Sequence, residues 1–233
     1  MGGPVAIAAA LGAAAWAVRG RSSRAFGNSV WKGPGDRPDI ALTFDDGPSP
    51  GTEALLDTLA DFGVPATFFI CGVHARRQPG TVRRIVELGH EPGNHTDTHP
   101  RLWLRSPAYI QQEIAVAQRA IVDAGGVAPK WFRAPFGVRW FGVDQAQRQL
   151  GLTGAMWTVM GSDWRLDGAA VAKRMKTRAH NGAIFCLHDG RELQPEPDIA
   201  NTIDAVRIAV PALLRDGYRF RTLTELCNPC AVE

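Results

Sequence analysis

Residues 40–63 read Ile40-Ala-Leu-Thr-Phe-Asp45-Asp46-Gly-Pro-Ser-Pro-Gly-Thr52-Glu-Ala-Leu-Leu-Asp-Thr-Leu-Ala-Asp-Phe62-Gly63. The stretch opens with a β-rich apolar run, Ile40–Phe44. A polar turn follows, and then a helix over Thr52–Phe62. Leu55, Leu56, Leu59 and Phe62 share one face of that helix, and Gly63 closes it. One strand, one turn and one amphipathic helix make a βα unit.

The unit recurs along the chain. Strands are predicted at Ala66–Ile70, in a short run leading to Asn94, and at Trp131–Arg133, Ala155–Val159, Ala183–Leu187 and Tyr218–Arg221. Helices are predicted at Pro79–Leu88, from Ser106-Pro107 to Gly125-Gly126, and at Asp144–Leu150, Asp167–Ala179 and Ile199–Asp216. Ser106 before Pro107 is a helix start, and Pro211 is expected to bend the last helix. About seven strands alternating with helices imply a parallel sheet. The pattern leaves open whether that sheet is flat or closed into a barrel.

A chain of 233 residues with 45% hydrophobic and 21% charged residues suits one α/β domain with a core. Arg19, Arg21 and Arg24 are the only charges in residues 1–30, and the rest of the chain balances at 23 basic and 23 acidic residues. That neutrality excludes the basic stripe expected of a nucleic-acid binder. Residues 1–30 read as an apolar leader, signal or membrane anchor, plus a basic linker. Residues 31–233 read as the catalytic domain. Pro4–Val18 is short for a membrane span, and no positive residue precedes it as in a cleaved signal. We expect this segment to place the protein at or beyond a membrane rather than in the cytoplasm. Cys71 and Cys186 read as core residues. Cys227 and Cys230 lack the second pair a zinc ribbon needs, so they read as a local disulfide or two free thiols.

In a parallel barrel the active site is built at the C-terminal strand ends. The polar residues there are Asp45 and Asp46, His95 and His99, Arg133, Asp163 and His188. Successive strand side chains point opposite ways, so a turn at Gly47-Pro48 can aim one carboxylate at a metal and the other at a water. Alone, Asp-Asp-Gly-Pro also reads as a capped polar turn. His95 and His99 lie four apart, and on one helical turn both could face one ion. With Asp46 they form a two-histidine, one-carboxylate set that suits one divalent metal ion, zinc first, with cobalt, nickel or iron(II) also compatible.

Five motifs now stand in order: Thr43–Pro48 (TFDDGP), His95–Pro100 (HTDTHP), Arg133–Gly137 (RAPFG), Asp163-Trp164 and Leu187-His188-Asp189. In that order they resemble the polysaccharide deacetylase family, the NodB-homology domain of carbohydrate esterase family 4, from about Pro38 to Leu226. The resemblance implies a distorted (β/α) barrel and a metal-dependent hydrolase that removes N-acetyl groups from a GlcNAc-containing glycan: peptidoglycan, a chitin oligomer or a surface polysaccharide. It implies Asp45 as base, Asp46, His95 and His99 as metal ligands, and Arg133 as the residue orienting the base. His188 would be the acid and Asp163 its partner. Pro135, Phe136, Trp164 and Leu187 would bind substrate, Trp164 and Leu187 as walls of the acetyl pocket. Phe136 stands where the family commonly has Tyr, which keeps a backbone oxyanion donor and loses a hydroxyl. Met160 stands where the fourth motif often carries another Asp. Alternatives to carry forward are a lipid-linked sugar, including its deformylation, and O-acetyl ester cleavage on a xylan-like glycan. A non-enzymatic glycan binder would have lost Asp45, a metal ligand or His188, and none is lost.

Overall fold

The computed structural model describes residues 3–227. Among them lie nine strands: β1 (Ser29–Val30), β2 (Asp39–Asp45), β3 (Thr67–Ile70), β4 (Glu91–Asn94), β5 (Trp131–Phe132), β6 (Thr153–Ala155), β7 (Val159–Met160), β8 (Ile184–His188) and β9 (Arg219–Phe220). Every pairing is parallel. The order across the sheet is β1-β6-β5-β4-β3-β2-β8-β7, with β9 paired to β2. Nine α-helices lie between and around them: α1 (Gly3–Arg19), α2 (Thr52–Phe62), α3 (Gly72–Arg77), α4 (Pro79–Glu87), α5 (Pro107–Gly125), α6 (Val143–Leu150), α7 (Gly168–Arg178), α8 (Ala200–Arg215) and α9 (Leu223–Cys227). This is a distorted (β/α) barrel.

The strand expected at 155–159 is split. β6 pairs with β5, while β7 pairs with β8 at the other end of the sheet. Only Met156, Trp157 and Thr158 separate the two, so the chain itself carries the sheet round toward closure. Pro211 does not interrupt α8.

The core is layered by strand alternation. Ile40, Leu42, Phe44, Phe68, Ile70, Phe185 and Leu187 face outward, into one buried cluster with residues of α2, α4, α5, α7 and α8. Ala41, Phe69, Trp131, Ala155 and Ile184 face inward and are closed off below by Leu223 and Leu226. The inward set leaves Thr43, Asp45, Cys186 and His188 at the upper end of the barrel.

The expected linker packs onto this barrel. Buried Arg139 donates through Nη1 to the Ser23 carbonyl, 2.6 Å, and through Nη2 to that of Gly20. Its backbone N–H takes the Val18 carbonyl. Arg21 donates to the Thr158 carbonyl at 2.6 Å. Phe26 packs edge-on against Phe141, and β1 joins the sheet beside β6. Among the described residues no helix is long and apolar enough to cross a membrane. Among the described residues Cys227 has no disulfide partner, and Cys230 lies outside them.

Candidate active site and metal centre

Asp45 is the last residue of β2, and Asp46 follows with φ 73°. The reversal of backbone hand between them sends the two carboxylates to different places. Gly47 is required at the next position, because a Cβ there would fall 2.0 Å from the Asp189 carboxylate packed beneath the turn. Burial leads the influences on Asp189 and, despite a hydrogen bond from Thr52, pushes its pKa up to about 7, with the charges of Asp46 and Asp45 adding to the rise.

Asp46 Oδ1 lies 3.2 Å from His95 Nε2 and 3.0 Å from His99 Nε2. All three residues are buried. The histidines do not share a helical turn as expected. They lie in an irregular loop past β4, with Thr96 at φ 68° and His99 at φ 52°. The loop is held from α5, where the Glu113 carboxylate accepts from the Asp97 and Thr98 backbone N–H groups and from the Thr98 hydroxyl. Asn94 accepts from the Thr96 N–H. Asp46 Oδ2 accepts from the Glu192 backbone N–H at 2.9 Å. His74 is buried and bonds the Glu192 carbonyl at 2.8 Å, pinning the segment that grips Asp46.

The donor set fits a divalent ion. His95 Nδ1 faces the Arg133 carbonyl at 2.8 Å and must donate to it. In a neutral ring, Nε2 then presents a lone pair to the Asp46 oxygen. Two imidazole nitrogens and a carboxylate oxygen crowded around one point repel unless a cation sits among them. Where Nε2 of a ring carries a proton instead, burial still opposes the Asp46 charge, but hydrogen bonds from His95 and His99 outweigh it and hold the carboxyl well below its ordinary range.

Arg133 is fully buried inside the barrel, beneath the cavity. Its Nη1 donates to Asp45 Oδ1 at 2.7 Å and to Thr43 Oγ1 at 2.6 Å. Nε and Nη2 donate to the carbonyls of Ala155 and Met156. Those carbonyls lie where β6 breaks off, so one guanidinium orients Asp45 and satisfies the strand break. The Phe69 ring lies beneath it, 4.0 Å from Cζ.

Across the cavity, His188 Nδ1 lies 2.9 Å from Asp163 Oδ1. Asp163 Oδ2 accepts from the His188 backbone N–H and from Thr202, both at 2.7 Å. Burial disfavours the imidazolium, but the Asp163 charge and hydrogen bond prevail, and the His188 pKa is pushed up to about 9. Trp164 meets the His188 ring edge-on at 4.9 Å.

A cavity of about 480 Å³ is lined by Asp45, Asp46, His95, His99, Phe136, Asp163, Trp164 and His188. Arg19, from the end of α1, and Cys186 also line it. Leu187 and Pro135 do not. Alternation along β8 turns Cys186 and His188 inward and Leu187 outward, into the helix-facing core. Pro135 is buried, and the ring of its neighbour Phe136 packs on His99 at 4.8 Å. Trp103 and Trp140 stack on each other at 6.1 Å, and Trp103 is exposed.

Glu113, Glu192, Cys186 and Arg19 belong to the site without an assignment to it from the sequence, and Asp189 enters the sequence reading only as part of the fifth motif. Glu113 had left a signal: it is a carboxylate within the apolar stripe of Ile110, Ile114 and Ala117. For the Glu192 backbone N–H no sequence signal exists.

Comparison with known proteins gives a consistent picture. Residues 32–155 match the family model described as polysaccharide deacetylase. A chitooligosaccharide deacetylase of Bradyrhizobium sp. (strain ANU 289) is 37% identical over 196 residues, covering 80% of this chain and 90% of that protein. The peptidoglycan-N-acetylglucosamine deacetylase PgdA of Listeria monocytogenes is 35% identical, covering 80% of this chain and 38% of its own length. The crystal structure of a peptidoglycan N-acetylglucosamine deacetylase bound to an N-oxidanyl-benzamide superposes with a TM-score of 0.78 at 30% identity, covering 85% of this chain and 92% of that one.

Proposed function

The chain belongs to the polysaccharide deacetylase family, hydrolases acting on carbon–nitrogen bonds other than peptide bonds, and from that premise we propose that it removes N-acetyl groups from a GlcNAc-containing glycan. The observation that carries this reading is the convergence of Asp46, His95 and His99 between an arginine-held carboxylate and an aspartate-held imidazole, all around one cavity. A divalent ion, zinc first, held by those three residues would polarise the amide carbonyl and acidify a water.

The protein's own groups divide the rest of the work. Arg133 ties up Asp45 Oδ1, so Oδ2 takes the proton from the attacking water. Phe136, in the left-handed region at φ 57°, sets the backbone N–H that receives the developing oxyanion. His188 protonates the departing amine. Asp163 holds its Nδ1, leaving Nε2 as the donor, and keeps the ring charged near neutral pH. Trp164 and Phe136 line the space for the acetyl group.

The chitooligosaccharide deacetylases match nearly end to end, which supports an N-acetylated oligosaccharide or glycan strand as substrate. A lipid-linked sugar is the second reading. It is supported by α1, whose exposed Ile7, Leu11 and Trp16 lead down to Arg19 in the cavity wall. The same segment supports placement at or beyond a membrane. Mass-spectrometric detection of acetate across chitooligosaccharides, peptidoglycan and acetylated xylan tests the assignment. Release from a GlcNAc glycan is expected; acetate from xylan alone would replace the N-deacetylase reading with an esterase. Asp45→Asn should keep the metal and lose at least ~10²-fold in rate, while Asp46→Asn should lose the metal. The reverse pattern would exchange their roles.

A further inference from the structure

Cys186 stands inside the barrel with its thiol toward the cavity, and none of the chemistry above uses it. Its Sγ lies 3.4 Å from Asp45 Oδ2. Asp45, Cys186 and His188 offer one oxygen, one sulfur and one ring nitrogen, all within 4.8 Å of one another. This donor set shares no residue with Asp46, His95 and His99.

We propose that Asp45, Cys186 and His188 form a second, inhibitory site for a soft divalent ion such as zinc or cadmium. Ligands at ~2.0–2.3 Å around tetrahedral zinc sit roughly 3.3–3.8 Å apart, and the Sγ–Oδ2 distance already falls in that range. Each donor atom is also freed by its other contact. Arg133 occupies Asp45 Oδ1 and leaves Oδ2 for the ion. Asp163 occupies His188 Nδ1 and leaves Nε2, supplying the carboxylate backing that metal-bound imidazoles usually have. Binding releases two protons to solvent, one from the thiol and one from His188 Nε2, and the resulting thiolate and carboxylate match the charge of a dication. The sulfur selects zinc or cadmium over magnesium and calcium, which take oxygen ligands. A fourth position opens to the cavity for water or chloride. Filling this site withdraws both Asp45 and His188 from the reaction. The inhibitory consequence rests on their proposed roles as base and acid, whereas the binding does not.

The test uses the full chain with Cys227→Ser and Cys230→Ser, so that the C-terminal pair gives no thiolate signal. Protein holding one equivalent of zinc is titrated with zinc, cadmium or magnesium. Equilibrium dialysis counts bound ion, ultraviolet absorption follows cadmium–thiolate charge transfer, and acetate release reports activity. A second equivalent of zinc or cadmium is expected to bind, with the thiolate band growing and activity falling in step; magnesium should do neither. Adding Cys186→Ser or Cys186→Ala should remove the band and raise the half-inhibiting zinc concentration at least tenfold. Half-inhibition at the same concentration with and without Cys186, or a second equivalent bound with no thiolate absorption, overturns the proposal. A band and a second equivalent in a protein that deacetylates no GlcNAc glycan would refute the proposed function and leave this site standing.

Discussion

Replacing Asp163 with Asn isolates the charge that holds His188 protonated. In the native site, Asp163 Oδ2 accepts from two donors, the His188 backbone N–H and Thr202, and Oδ1 faces His188 Nδ1. An asparagine oxygen belongs where two donors converge, so its NH₂ turns toward Nδ1. There it requires an acceptor, which only the neutral ring provides. The imidazolium therefore loses its counter-charge and gains an opposing donor, while burial continues to disfavour it. Its pKa should fall from about 9 to below the ordinary 6.5. An acid acts in its protonated form, so activity is present below this pKa and lost as pH rises through it. At pH 8 a group of pKa ~9 is roughly 90% protonated and one of ~6.5 roughly 3%, a loss of about 30-fold. The pH profile of kcat/KM, which reports groups of the free enzyme, is the assay. The descending limb should move down by two units or more, and the deficit should shrink toward pH 5.5. An unmoved limb, or a deficit equal at every pH, would refute the assignment of Asp163 as the partner that charges His188.

Chelation of divalent ions should abolish acetate release and leave far-UV circular dichroism unchanged, because buried apolar clusters hold the barrel; full activity without any divalent ion by elemental analysis would contradict this. Arg133→Met should cost roughly 3–5 kcal/mol, since it leaves Asp45 buried without its partner and strands the Ala155 and Met156 carbonyls. An unchanged denaturant midpoint would show that the ion pair is dispensable. Starting the chain at residue 31 should lower the melting temperature, because β1 and the carbonyls held by Arg139 are lost, whereas starting at residue 17 should not. Equal melting temperatures for the two would mean that residues 17–30 add nothing to the barrel.

Most of the elements were legible because period and punctuation agree. The face of α2, the Ser106 cap of α5 and the apolar run of β8 each announce themselves. What escaped depends on distant partners. The three-residue break between β6 and β7 lies within an apolar run with no breaker residue, and it is stabilised by Arg133, more than twenty residues upstream. Spacing of four fits one helical turn, but the histidine loop is irregular, and its real support is a carboxylate on α5. Leu187 illustrates a different limit. Membership of a motif placed it in the acetyl pocket, but strand alternation gives that inward direction to Cys186 instead.

The site also explains how two adjacent aspartates come to hold different positions. Non-glycine residues at positive φ cluster here: Asp46, Thr96, His99 and Phe136. Each such conformation costs on the order of 1–3 kcal/mol and persists only where its surroundings over-determine it. Those surroundings can be named. Asp46 is held by the Glu192 N–H, Thr96 by the Asn94 side chain, and the 97–98 backbone by Glu113. Had Asp46 continued the extended geometry of β2, alternation would have sent it outward toward the helices, as it sends Phe44. The left-handed turn instead brings it back over the barrel mouth to the imidazoles, while Asp45 stays in the strand, fixed from below by Arg133. The same chain segment thus offers one oxygen to a metal and another to a proton, and the division is set by backbone hand at a single residue.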